Sequence, residues 1–119
     1  MKRRPLQFVM AWALSVVTQS DRWVPVGGSH NEYQDHLDQE SLKRSGNKVT
    51  LWTRRDFVTQ QRTAWNEIEV DCARKWDTIL AYVQDDAGVI SHNVVRPHRG
   101  STAIPPNSVG ERIYDLVCR

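Results

Sequence analysis

Four histidines, two cysteines and one Gly-Gly pair are the residues of this 119-residue chain whose types could support chemistry. The histidines are His30, His36, His92 and His98. No two stand at the i, i+4 spacing of a helical zinc site, and none belongs to a C-x-x-C or H-E-x-x-H pattern. His30 and His36 lie among Glu32, Asp35 and Asp38, which would make a loose surface metal site; solvated loop residues are the plainer reading. No G-x-S-x-G elbow supports a Ser/His/Asp set. Gly27-Gly28 lacks the G-x-G-x-x-G and G-x-x-x-x-G-K patterns of a phosphate loop. The chain is therefore expected not to be an enzyme, with no catalytic, metal-binding or cofactor-binding residues and no cofactor.

The cysteines, Cys72 and Cys118, read differently. An even count in an exported chain favours a disulfide. Two free thiols, a metal pair or a cysteine nucleophile are the competing readings, though the wide spacing lacks the close pair that metal and redox motifs use. A bridge closing a loop of about 47 residues would contribute roughly 4 kcal/mol in the chain-entropy model.

Binding chemistry is better represented. Basic residues gather at Lys43-Arg44, at Arg54-Arg55 with Arg62, and at Arg96-Pro97-His98-Arg99, where they could meet an acidic surface or simply deter edge-to-edge pairing of strands. Trp52 and Trp76 are expected in the core, and Trp65, beside Thr63 and Asn66, at the surface. Exposed aromatics with arginines make binding hot spots, so Arg62 with Trp65 is the candidate contact patch.

Composition sets the class. The chain is 39% hydrophobic and 25% charged, with a formal charge of +2, which suits one folded domain and excludes a disordered or multi-pass membrane chain. Lys2, Arg3 and Arg4 account for that positive charge, and every acidic residue lies at Asp21 or beyond. A nucleic-acid partner is therefore not expected. The basic start, the apolar run Leu6 to Val17 and the small residues after it have the order of a secretory signal peptide. Residues 1–20 are expected to be that signal, cut after Ser20 or Ser15, and residues 21–119 the mature domain. The run is shorter than the roughly 20 residues a membrane span needs, and no cysteine near either cut offers lipid attachment. The expected location is the periplasm, the cell surface or the medium, with no stable membrane span in the mature chain.

The elements follow from periodicity. Trp23 to Val26 reads as a short edge strand containing Pro25 and ended by the glycine pair. Tyr33 to Asp38 is a weaker strand, and the turn Ser45-Gly46-Asn47 leads into the β-rich stretch Lys48 to Trp52. Ile68, Val70, Cys72, Trp76, Leu80 and Tyr82 share even parity, predicting long half-buried strand structure with Cys72 on a central strand. Arg74 and Ile79 break that parity and predict a bend or bulge. Asp85-Asp86-Ala87-Gly88 reads as a hairpin turn into Val89, Ile90, Val94 and Val95. After Pro105-Pro106, Ser108-Val109-Gly110-Glu111 has capping-box spacing, and Val109, Ile113, Leu116 and Val117 make one apolar stripe of a short helix. The fold class is α+β: an antiparallel β-sheet with a C-terminal helix packed on one face and tethered by a disulfide.

As a set these residues resemble the surface-adhesin protein E family of small exported bacterial proteins, over Trp23 to Cys118. The likeness rests on Asp38, Ser41-Leu42, Arg44, Gly46-Asn47, Val49 and Leu51-Trp52, on Glu69-Val70-Asp71-Cys72, and on Pro106-Asn107-Ser108 with Val117-Cys118. It implies an antiparallel sheet with a disulfide-tethered C-terminal helix, and adhesion to host-matrix proteins. That namesake is lipid-anchored; this chain departs from it in having no cysteine to acylate. The expected function is an exported binding protein contacting a host-matrix or envelope protein, as a monomer or a homodimer. The alternative is a periplasmic structural or small-ligand sensory domain, which calls for a polar concave sheet and an open cavity beneath the helix.

Overall fold

The computed structural model describes residues 22–93 and 100–119, with the side chains of residues 91–93 left aside. The expected signal peptide and its cleavage sites, Val94 and Val95, and the basic run Arg96-Pro97-His98-Arg99 lie outside the described residues.

Alternating sequence and tight turns build one eight-stranded antiparallel sheet. Its strands are β1 (Trp23–Ser29), β2 (Tyr33–Asp38), β3 (Lys43–Ser45), β4 (Lys48–Phe57), β5 (Arg62–Asp71), β6 (Trp76–Asp86), β7 (Val89–Asn93) and β8 (Thr102–Ala103). The main order is β1-β2-β4-β5-β6-β7; β3 extends the β2 side of β4, and β8 pairs with the far end of β6. A 3-10 turn (Gln39–Ser41) joins β2 to β3, and the helix α1 (Val109–Val117) closes the chain.

One sheet face carries the core. Val26, Leu37, Val49, Leu51, Ile68 and Val70 point into it, covered by Ile104, Ile113 and Val117. α1 begins as its spacing predicts: the Ser108 side chain accepts from the Glu111 N–H. The reciprocal bond reaches one residue further back, from the Asn107 N–H to Glu111 Oε1. Glu111 Oε2 also takes Lys75 Nζ at 2.7 Å, pinning the helix start to the β5–β6 turn. At the other end Cys118, the C-cap, is bonded to Cys72 across a Cα–Cα distance of 5.4 Å. Tyr114 donates to the Cys72 carbonyl and Arg44 to the Val117 carbonyl. The helix is fixed at both ends and by two buried side chains between.

Three expectations need correction. β1 does not stop at the glycine pair but runs on to Ser29, after a bulge at Val26. A Cβ on Gly28 would lie 2.3 Å from the Tyr33 carbonyl, so glycine there permits the close hairpin rather than ending the strand. Cys72 is not on a central strand; it sits one residue past β5, in a four-residue turn. That turn opposes Asp71 to Trp76, so parity inverts between β5 and β6. Trp76 is accordingly swung off the core face, is exposed, and stacks with Arg74. Trp52 also lies outside the core cluster, for the reason that follows.

Candidate functional site

The described residues supply one helix for the sheet's two faces, so none of them lays a helix over the second face. In β4 and β5 the register pairs Trp52 with Glu67 and Arg54 with Trp65, which puts these four on the face opposite Val49, Leu51, Ile68 and Val70. Trp65 is in turn opposite Val83 on β6, and Asp85 opposite Ile90 on β7. Trp23, on the far edge strand, pairs with Asp38 and joins the same face. The result is a row of indoles and aliphatic side chains running across the sheet.

These side chains line an open groove of about 480 Å³, mostly apolar, floored by Trp52, Trp65 and Val83 and bounded by Trp23 and Ile90. At its β1 end stand Arg22 and Asp38. Asp38 is 2% exposed and its carboxylate is fully engaged. Arg22 grips it through two hydrogen bonds of 3.1 and 3.0 Å, and the Glu40 N–H donates to it at 3.0 Å. Trp23 is flanked by two guanidinium groups, Arg54 at 4.6 Å and Arg22 at 5.9 Å from the ring centre. Arg54 also bonds Asp56 at 3.1 Å. The groove is thus walled by ordered charge pairs, while its floor offers apolar surface.

The strongest block of sequence likeness positions this floor. The Ser41 hydroxyl donates to the Asp38 carbonyl and accepts from the Trp52 N–H, both at 2.8 Å, so the 3-10 turn is tied directly to the strand carrying Trp52. Gly46 turns the chain at φ 60°, and the Asn47 carbonyl accepts from the Cys72 N–H at 2.7 Å. Asp71 Oδ1 accepts from the Ala73 and Arg74 N–H groups, shaping the turn that holds Cys72. Residues that carry no chemistry in a motif search thus hold the groove and the disulfide in register.

The proposed patch of Arg62 and Trp65 is not brought together. Three residues apart on one strand, they point to opposite faces. Arg62 lies with the core-side residues, bonding Asp86 at 2.6 Å and stacking 5.4 Å from the Phe57 ring. Trp65 lies in the groove and is half-buried, not an isolated surface residue. Arg54 and Arg55 part in the same way: Arg55 clasps Asp35, 5% exposed, at 2.8 and 2.9 Å and covers the Tyr33 ring at 3.7 Å. Beyond the helix this core-side face is a closed polar network. Tyr82 donates to Gln84, and Arg62 and then Gln84 donate to Asp86, holding its carboxyl below the usual range. The imagined metal set is dispersed for a related reason. Asp35 and Asp38 face opposite ways, each in an arginine's grip, and His36 lies nearest Asp56, at 3.8 Å. Among the described residues no three His, Cys, Asp or Glu side chains are gathered to hold a metal ion. Among them, too, no helix is long and apolar enough to cross a membrane. The feature missed from the sequence is the partnership of Trp23, Trp52 and Trp65, whose signal was their shared face once strand register is known.

The family model of surface-adhesin protein E matches residues 23–119, from the first residue of β1 to the end of the chain. No curated protein and no solved structure matches significantly.

Proposed function

The chain belongs to the surface-adhesin protein E family, and from that premise we propose an exported, non-catalytic binding protein that meets a host-matrix or envelope protein through its tryptophan groove. One observation carries the reading: three tryptophans from three strands converge on a sheet face that no helix among the described residues covers. Half-buried tryptophans on the floor of an open groove offer apolar surface to a partner, and Trp beside Arg is hot-spot composition. Support for a non-catalytic role comes from how the reactive groups are engaged. Cys72 and Cys118 are joined to each other, and Asp35 and Asp38 are each gripped by an arginine. The Ser41 and Ser108 hydroxyls bind backbone. Beneath the helix lies packed side chain, so the small-ligand sensory reading gains no support from that side. Export rests on the order of residues 1–20; mass spectrometry of the envelope fraction should find Asp21 or Val16 at the N-terminus.

The test is capture of matrix and envelope proteins on the immobilised protein, comparing wild type, Trp65→Ala and Arg62→Ala. Losing a central aromatic anchor worth about 2 kcal/mol weakens binding roughly 30-fold, so Trp65→Ala should do so. Arg62→Ala, on the other face, should bind as wild type does. Equal binding by all three variants would remove the groove from the function.

A further inference from the structure

The two edges of the sheet are treated differently. At the β1 edge, Pro25 has no N–H to offer, the strand bulges at Val26, and Arg112 donates to the Val26 carbonyl. Those are the devices by which natural sheets discourage a further strand. At the opposite edge of the described sheet, β7, Val-Ile-Ser-His-Asn, pairs with β6 without a bulge, has neither proline nor Lys, Arg, Asp or Glu, and meets no further strand among the described residues on its outer side. Val89 and Ile90 are 71% and 59% exposed.

The hairpin geometry says which backbone groups are open. Ala87 and Gly88 have φ 51° and 94°, the paired positive values of a two-residue type I′ turn. In such a hairpin the closing pair, here Asp86 with Val89, exchanges both hydrogen bonds, and bonded pairs then alternate. Val89, Ser91 and Asn93 therefore bond to β6, while Ile90 and His92 present N–H and C=O to the outside. Ile90 also borders the groove, beside Val83 and Trp65.

We infer that β7 accepts an extended segment of a partner polypeptide as an added strand, whose alternate apolar side chains lie over Ile90 and toward Trp65. This deepens the reading of the groove as the contact surface, on which it rests. Outward N–H and C=O groups recurring every second residue, roughly 6.8 Å apart, match a polypeptide backbone. The groove beside them supplies selection for the side chains, as in other strand-addition sites.

The probe is a displayed library of random linear dodecapeptides, panned on the purified protein. Enriched peptides should alternate apolar and polar residues and bind His92→Pro at least tenfold more weakly, since that substitution removes an outward N–H and leaves the β6 ladder whole. Ile90→Lys should weaken them similarly, with melting curves confirming that both variants fold. Should either variant misfold, hydrogen exchange on the wild type decides: bound peptide should protect the Ile90 and His92 amides and leave Ser91 unchanged. Peptides without alternation that bind His92→Pro equally well would overturn the inference. So would a wild-type dimer dissolved by His92→Pro, which would give the edge to a second copy. If no peptide is enriched while Trp65-dependent capture of intact proteins persists, the edge has no such role and the groove keeps its function. If nothing binds at all, both readings fall.

Discussion

Reducing the Cys72–Cys118 bond should lower the melting temperature by about 12–24 °C and leave the protein folded at room temperature. The bridge spans a sequence separation of 46. For a loop of that length the chain-entropy model gives about 4 kcal/mol, and native bridges commonly contribute ~2–4 kcal/mol. Taking roughly 3 kcal/mol, and 4–8 °C per kcal/mol for a domain of about 100 residues, yields the stated shift. Other ties survive reduction: Ile113 and Val117 stay buried, Lys75 holds Glu111, and Tyr114 reaches the Cys72 carbonyl. With ~5–15 kcal/mol as a usual total, the remainder favours the native state. The measurement is a set of melting curves, oxidised and reduced, on wild type and on Cys72→Ser/Cys118→Ser. The double variant avoids the thiol-linked dimer that a single leftover cysteine would allow, and should melt where reduced wild type melts. An unchanged melting temperature on reduction, with two thiols labelled beforehand, would show that the bridge does not hold the helix.

Glu111 is held below its usual carboxyl range by Lys75 and the Asn107 N–H, so its stabilisation is present above the ordinary glutamate pKa and fades as pH falls through the lowered one. Glu111→Gln should thus melt lower than wild type at pH 7, with the difference closing in strong acid. Gly28→Ala would drive a methyl against the Tyr33 carbonyl and should cost about 1–3 kcal/mol, read from denaturant midpoints. Ala87 occupies the left-handed region at φ 51° in the type I′ turn, where Asn is preferred; Ala87→Asn should raise stability by about 0.5–1 kcal/mol in the same assay.

Where the sequence carried a local rule, it read through to the fold. Ser108 and Glu111 cap the helix, Ala87-Gly88 turns the last hairpin, and the apolar stripe at Ile113 and Val117 meets the core. The two parity breaks were also real signals. Arg74 falls in the turn between β5 and β6, and the break at Ile79 marks the shift at Leu80, where Glu67 opposes Ala81 but Ile68 opposes Ile79. Reading even parity straight through that turn is what put Cys72 on a strand and Trp76 in the core. Four turn residues leave Asp71 and Trp76 on one face, so the core-side positions are even in β5 and odd at the start of β6. Arg62 and Trp65 are kept apart for an equally local reason. Arg62 and Trp65 are near in sequence, but a separation of three brings side chains together on a helix and drives them apart on a strand. Trp23, Trp52 and Trp65 could be joined only through register between distant strands, which no single segment encodes.

An antiparallel sheet can keep one face dry and the other wet, and a small domain gains most by committing its helix to one of them. This chain does so firmly: capping, ion pair, apolar stripe and disulfide all hold α1 to the same face. With that face secured, the apolar residues on the other are not needed to dock the helix. The sequence nevertheless places three indoles there and ties one of their strands to the Asp38–Ser41 turn by a side-chain bridge. Folding alone would be served as well by threonine or lysine at those positions, as on most solvated sheet faces. The groove crosses the sheet from Trp23 on the guarded β1 edge to Ile90 on β7, so that Ile90 belongs to both groove and edge. An apolar floor and open backbone groups converging on one strand make that border, rather than the arginine-rich core-side face, the place where a partner has the most to gain.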